Sequence, residues 1–277
     1  MGIRDCVYFL DEEIQKIVYP IGKYIAVKSL EKMSDQYEMN FIKLNELVTH
    51  VIAMAISPDK CKIAVSQKIK GEIYPQITIH NIKTGATRGE SKSTSFQYTE
   101  TKSESFVSLG FSHEKQDSRY IACVTDEHDC QIVFYDLMRN KLVGTTSMAN
   151  PVSKIAVNPK DSHTVSISGP EIFKIFRVHE SSLRNPTDVL KLNQKQNFTD
   201  HCWIDDERVV VGTDQGSLFV IKKIEQKWEV KQHISRAFAD IGIGVSHFCF
   251  LKNRSPLSRL FPKGLLLDQN LETSLCG

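Results

Sequence analysis

A repeat constrains this chain more than any other feature of its sequence. Short strand-like runs recur at Val51 to Pro58, Phe106 to Ser112, Val152 to Pro159 and Phe198 to Trp203, and a further copy begins at Val245 and runs to Phe250. Anchored on Ile56, Phe111, Val157, Trp203 and Phe250, the period is about 46 residues, apart from a first interval of about 55. The longer interval contains residues 89–105, which are polar and rich in Ser and Thr with few large apolar side chains, so an inserted loop is expected there. A period of this length means one supersecondary unit copied in series, each copy burying its apolar face against its neighbours.

Each period contains further clusters of Val, Ile, Phe and Tyr bounded by turn residues. From Trp203 onward the pattern is clearest. Arg208 to Thr213 leads into the turn Asp214-Gln215-Gly216, then Ser217 to Ile221, then Trp228 to Lys231. Asp and Gly supply the backbone conformations that join antiparallel strands tightly. Matching runs occur at Tyr120 to Thr125, Gln131 to Asp136, Lys141 to Gly144, Thr164 to Ser168 and Phe173 to Arg177. Four short strands per period predict the blade of a β-propeller.

The predicted fold is therefore all-β: a propeller of four-stranded blades, incomplete, with about five blades and a broken sixth. The blades are expected at about 6–45, 51–88, 106–145, 151–180 and 198–232, with a partial copy from 245 and an irregular tail over 251–277. Periodicity alone also allows an amphipathic helix from Leu30 to Val48, but Asp35 and Asn40 interrupt it and the repeat calls for strand. The unfinished last copy leads to the expectation of a fragment or short isoform with exposed strand edges, a route to aggregation.

Composition narrows the function. Lys+Arg 35 against Asp+Glu 33 give a formal charge of +2, without the basic footprint of a nucleic-acid binder, so no nucleic-acid partner is expected. No apolar run approaches the roughly 18 residues of a membrane span, and the first residues lack the pattern of a secretory leader, so no membrane association is expected. Seven scattered cysteines without a CxxC pair suit reduced thiols better than a disulfide framework.

Motifs for chemistry are weak. Asp126-Glu127-His128-Asp129-Cys130 has the residue types of a zinc site but occupies the hairpin slot that Asp214 to Gly216 fill two units later, which predicts a solvated turn. His201 and Cys202 are strand neighbours with side chains on opposite faces, so they cannot form a thiol–imidazole pair. No phosphate-binding glycine loop is present, and the carboxylate pairs Asp205-Asp206 and Glu12-Glu13 fall at expected turns. No catalytic, cofactor-binding or metal-ligating residue is assigned, and no small-molecule substrate or cofactor is expected. The residues singled out are structural turn positions: Ser57, Pro58, Asp136, Asp214 and Gly216.

The four-strand unit, Ser57-Pro58-Asp59 after a first strand, the Asp214-Gln215-Gly216 turn, and Tyr135-Asp136 ending a third strand resemble the WD-repeat family. Departures are plain: no Trp-Asp pair occurs, and His80-Asn81 and Phe176-Arg177 stand in its place. More closely, the runs at 7–30, 54–67, 75–85, 152–178 and 201–221 resemble, in order and spacing, the N-terminal propeller of a cilia- and flagella-associated family of WD-repeat proteins. That resemblance implies a non-catalytic scaffold in the axoneme of motile cilia or flagella. Its implied partners are axonemal dynein-associated proteins, of the inner arm or the regulatory complex, and doublet-microtubule proteins. A general cytosolic WD-repeat platform for multiprotein assembly is the alternative, because fold does not determine function.

Overall fold

A computed structural model describes residues 6–10, 16–33, 36–82, 93–113, 118–179, 182–184, 196–225 and 227–235. All of its regular elements are strands. The first sheet is formed by β1 (Tyr8–Phe9), β2 (Lys16–Ile21), β3 (Tyr24–Met33) and β4 (Gln36–Lys43), and the second by β5 (Val48–Ile56), β6 (Lys62–Ile69), β7 (Gln76–Asn81) and β8 (Thr94–Gln97). The third comprises β9 (Phe106–Phe111), β10 (Tyr120–Thr125), β11 (Gln131–Asp136) and β12 (Lys141–Ser147). The fourth comprises β13 (Lys154–Val157), β14 (Thr164–Gly169), β15 (Ile172–His179) and β16 (Ser182–Arg184), and the fifth β17 (Phe198–Trp203), β18 (Arg208–Thr213), β19 (Leu218–Ile224) and β20 (Lys227–Ile234). Every sheet is an antiparallel meander in chain order; one parallel pairing, Thr145 with Ser182, joins the outer strands of the third and fourth.

Alternation along the strands decides which side chains meet which neighbouring sheet. Val18, Ile25 and Ile42 of the first sheet pack on Met54, Ile63 and Val65 of the second, whose other face (Ala55, Ala64, Ile77, Phe96) meets Phe106, Ile121 and Val133 of the third. Ala122, Ile132 and Phe134 then meet Ile155, Val165 and Ile167 of the fourth, and Phe173 and Ile175 meet Phe198, Val209 and Trp203 of the fifth. The core is thus four apolar layers between five sheets, each sheet lying against the ones before and after it. First strands pack on first strands, β5 on β9, β9 on β13 and β13 on β17. This is the stacking of propeller blades around an axis lined by first strands. At Gly110 the approach is close: a Cβ there would lie 3.4 Å from the Ile155 carbonyl oxygen on the neighbouring first strand.

The strand pairings explain the substitutions at the WD-like positions. His80, Tyr135, Phe176 and Ile221 each pair with the second residue of the preceding strand, namely Ile63, Ile121, Val165 and Val209. All four side chains are buried, so the slot selects bulk against the preceding sheet and accepts several shapes.

Two expectations differ from the structure. Thr94–Gln97, inside the stretch read as an inserted loop, is β8, the fourth strand of the second sheet; Phe96 on it is buried and stacks on Tyr135 at 3.8 Å between ring centroids. One buried aromatic among Ser and Thr is too weak a hydrophobic pattern to read as a strand. The fourth unit extends past 180, because Ser182–Arg184 returns along β15 as β16. Over Leu30 to Val48 the strand reading holds against the amphipathic helix: the stretch comprises the end of β3, β4 and the start of β5. The copy expected from Val245 and the tail over 251–277 lie outside the described residues.

Candidate functional site

Antiparallel meanders send alternate turns to opposite ends of the stack. The turns after first and third strands lie at one end, and those after second strands, with the connections between sheets, at the other. Ser57, Pro58 and Asp136 fall at the first end and Asp214 and Gly216 at the second. The structure therefore does not bring these residues into one cluster; it distributes them over two rims.

At the first rim, the Ser57 hydroxyl donates to Asp59 Oδ1 at 2.5 Å and accepts the Lys62 amide at 2.8 Å, while the Cys61 amide donates to Asp59 Oδ1 at 3.0 Å; Pro58 lies in the turn they enclose. Burial alone would raise the Asp59 carboxyl, but these donors outweigh it and hold it below the usual carboxylate range. The same device recurs: the Tyr120 amide donates to Ser112 Oγ at 3.0 Å, and the Lys160 and Asp161 amides both donate to Asn158 Oδ1 at 3.0 Å. Adjacent turns are tied together, with Asn158 Nδ2 donating to the Asp206 carbonyl oxygen at 2.8 Å and Lys160 Nζ lying 3.0 Å from Asp206 Oδ1.

Asp136 organises the turn after β11. Its Oδ2 accepts from Arg119 Nε at 3.0 Å and Nη2 at 2.8 Å, and its Oδ1 accepts the Met138 and Arg139 amides at 3.0 Å each. Burial would raise this carboxyl too; the Arg119 hydrogen bond, the two amides and the guanidinium charge keep it below its ordinary range. Arg119 also sits 4.8 Å from the Tyr120 ring centroid.

At the second rim, Asn197 Nδ2 donates to Asp214 Oδ2 at 2.8 Å and the Asp214 amide donates to the Asn197 carbonyl at 3.1 Å. Gly216 has φ 77°, a left-handed conformation that side chains resist, and its amide donates to the Thr213 carbonyl at 3.1 Å. In the equivalent turn of the third sheet, Asp126 Oδ2 accepts the amides of Glu104 at 3.0 Å and Ser105 at 3.1 Å, while its Oδ1 accepts the His128 amide at 3.1 Å. Its lone pairs are committed to these amides, to the Ser105 hydroxyl at 3.1 Å and to the His128 ring at 2.8 Å, and Cys130 is buried. Among the described residues no group of three or more His, Cys, Asp or Glu is placed to hold a metal ion.

The arrangement closest to catalytic machinery is one the sequence did not disclose. His201 Nε2 lies 2.8 Å from Ser166 Oγ and its Nδ1 2.8 Å from Ser168 Oγ, and its own amide donates to Asp200 Oδ1, which also pairs with Lys154 Nζ. A serine–imidazole contact suggests a nucleophile and its base. Burial decides against that role: Ser166 is fully buried and His201 is 1% exposed, so no substrate reaches either. The imidazole is oriented by a second serine where a triad would use a carboxylate. Burial, aided by the Lys154 charge, pushes it well below the usual imidazole range and keeps it neutral, one nitrogen donating and the other accepting. It fastens the fifth sheet to the fourth. One sequence signal points to it: Ser166 and Ser168, two apart on a strand, must share a face. Cys202 lies on the opposite face of β17 from His201, its thiol 3.5 Å from the Trp203 carbonyl oxygen.

An open cleft of about 490 Å³ beside Ile21 and Tyr24 has only solvent-exposed polar groups, Lys23, Lys43 and Glu46, and no buried polar group to fix a small ligand. The rims are set by turns braced by these side-chain hydrogen bonds.

No protein-family model matches the chain. Among curated proteins it is similar to cilia- and flagella-associated protein 57 of Mus musculus, 28% identical over 230 residues that cover 82% of this chain and 17% of that protein. The chain thus spans about a sixth of the length of the curated relative it matches. Among solved structures it is similar to a functionally unknown protein from Desulfotomaculum acetoxidans, with a TM-score of 0.58 at 15% identity over 77% of this chain and 63% of that one. It is also similar to the β-propeller domain of Cps50 (Swd1) from a Myceliophteria species, with a TM-score of 0.48 at 16% identity over 67% and 55%. The all-β fold of stacked four-stranded propeller blades and the resemblance to a cilia- and flagella-associated protein, both read from the sequence, hold.

Proposed function

We propose, for a chain of WD-type blades related in sequence to a cilia- and flagella-associated protein, that it is a non-catalytic scaffold of motile cilia or flagella. In this reading it holds axonemal proteins, of the inner dynein arm or the regulatory complex, on the doublet microtubule. The observation that carries the reading is the similarity itself, which runs through 82% of the chain. The geometry agrees with it: the carboxylates, hydroxyls and imidazole that are drawn together serve the framework, leaving rigid rims as the surface for protein partners.

The test is localisation of the tagged protein in multiciliated or flagellated cells, followed by salt extraction of isolated axonemes. Axonemal signal, with inner-arm dynein subunits in the same extract, is the expected result. A diffuse cytosolic or nuclear signal overturns the ciliary assignment and makes the general assembly platform the working reading.

A further inference from the structure

The turn after β11 treats two neighbouring apolar side chains in opposite ways. Leu137 packs on the layer between the second and third sheets, whereas Met138 belongs to none of the four apolar layers and is 73% exposed. It is the most exposed large apolar side chain among the described residues, and no other described turn of the first rim exposes one. Its position is set from inside. The Leu137 amide donates to the Arg119 carbonyl at 2.8 Å, Asp136 Oδ1 takes the Met138 and Arg139 amides, and Asn140, at φ 50°, accepts the Tyr135 hydroxyl on its Oδ1 at 2.6 Å. A turn fixed in this way holds its apolar tip ready for a contact without further ordering. The third sheet has a described sheet against each of its faces, so this exposure does not depend on what adjoins the first sheet or the fifth.

The polar groups beside Met138 are of one kind. The Asp136 charge is taken up by the two-pronged Arg119 contact, and its side chain is 3% exposed. Arg139 Nε stands 4.0 Å from the same carboxylate, beyond hydrogen-bond reach, with its side chain 75% exposed. Lys141, opposite Asp136 in the strand pairing, is exposed and has no carboxylate partner among the described residues. With Asn140 Oδ1 held by Tyr135, the Nδ2 of this exposed residue remains as a donor. The side chains around Met138 thus offer a guanidinium, an amide and an ammonium, and no exposed carboxylate.

We propose that this turn docks an acidic segment of a partner polypeptide, its carboxylates meeting Arg139, Asn140 and Lys141 and an apolar side chain lying on Met138. Charge complementarity argues for that occupant: donors without acceptors select a run of carboxylates, and methionine adapts its shape to an apolar side chain. Nucleic acid is the poorer fit, since two cations and no exposed aromatic ring supply neither the row of phosphate contacts nor the stacking that it uses. The inference rests on the scaffold reading in taking the ligand to be a protein, and not on a ciliary location.

The experiment is fluorescence anisotropy at low salt, in which a short labelled peptide of glutamates around a central leucine is titrated with the full chain. The expected result is a dissociation constant on the order of 100 μM, weakened about 10-fold or more by the double variant Arg139→Glu, Lys141→Glu and about 3-fold by Met138→Ser. The matched double variant Lys70→Glu, Lys102→Glu, at exposed positions of the second rim, is expected to bind as the parent does. All the substituted side chains are exposed, so unchanged circular dichroism and melting serve as the folding control. A peptide that does not bind at about 1 mM, or that binds the first double variant as well as the parent, overturns the proposal. Equal weakening by the second-rim variant reduces the contact to net charge and overturns it as well. Tighter binding of an oligothymidylate, lost in the same Arg139 and Lys141 variant, gives the turn to nucleic acid instead. Axonemal localisation without peptide binding removes the docking turn alone, and peptide binding by a protein found in the cytosol supports it while the ciliary reading falls.

Discussion

His201 in β17 and Ser166 in β14 share a 2.8 Å hydrogen bond between two different sheets, and it is one of two serine contacts made by a single buried imidazole. A polar side chain fully removed from water is tolerable only because each ring nitrogen has a partner. Replacing His201 by Leu takes the imidazole from two buried hydroxyls, leaving Ser166 only its 3.4 Å bond to the Ala156 carbonyl oxygen, and alters the fit of the fourth and fifth sheets. We expect a loss of about 2–4 kcal/mol in urea unfolding, with no such loss for the exposed substitution His128→Leu. A His201→Leu variant as stable as the parent would show that the latch contributes nothing.

His80 presents the opposite case. It is buried and neither ring nitrogen has a hydrogen-bond partner, in a slot where the other sheets place Tyr135, Phe176 and Ile221. Removing the unpaired nitrogens with His80→Phe is expected to leave stability unchanged or raise it by about 1 kcal/mol, read as an upward shift of the urea midpoint.

Burial lowers both His80 and His201 below the ordinary imidazole value of 6.5. The unfolded chain then binds more protons than the folded chain in mild acid. The contribution of these groups is complete above about pH 6.5 and is lost as the pH falls below it, with a slope of about 1.4 kcal/mol per pH unit for each imidazole. Asp59, Asp126 and Asp136 are also lowered, and their contribution is lost further down, below about pH 4. Melting temperatures from pH 8 to pH 3.5 should therefore decline in two stages, and the first stage should shrink in His80→Phe. A flat profile between pH 7 and pH 5 would contradict the assignment.

Asp136 joins a guanidinium to two backbone amides. Asp136→Asn keeps an oxygen for the amides and loses the charge opposite Arg119, whereas Asp136→Ala loses both. We expect the alanine variant to be destabilised by about 2–4 kcal/mol and the asparagine variant by about half of that. Equal losses would mean that the ion pair, and not the turn, carries the effect.

Gly169 ends β14 where a Cβ would lie 2.4 Å from the Pro151 carbonyl oxygen, 3.1 Å from Val152 Cα and 3.2 Å from Ser153 N, all backbone atoms. At Gly110 the nearest atoms stand at 3.4–3.6 Å. Gly169→Ala is therefore expected to cost about 1–3 kcal/mol and Gly110→Ala less than about 1 kcal/mol, both read by denaturant unfolding.

Strand positions were legible wherever apolar alternation and turn chemistry agreed, as from Arg208 through Gly216 to Ile221. β8 was hidden because Phe96 is its one buried side chain amid Ser and Thr, and β16 because three residues carry no periodicity. The turn at Asp214 and Gly216 could be read locally, since Asp and Gly are chosen by backbone conformation. The latch could not: His201 lies 35 and 33 residues from its two partners, and a histidine beside a cysteine in sequence says nothing of the serines on the next sheet. Asp136 was identified as a turn residue, but its pairing with Arg119, 17 residues earlier, depends on the register of β10 against β11.

Because each apolar layer among the described residues joins two sheets that are neighbours in sequence, damage has a short range. A cavity made in the second sheet should loosen the first and third while leaving the amides of β18 and β19 as slow to exchange as before. The stack then loosens in segments from its outer sheets inward, in the manner of a zip.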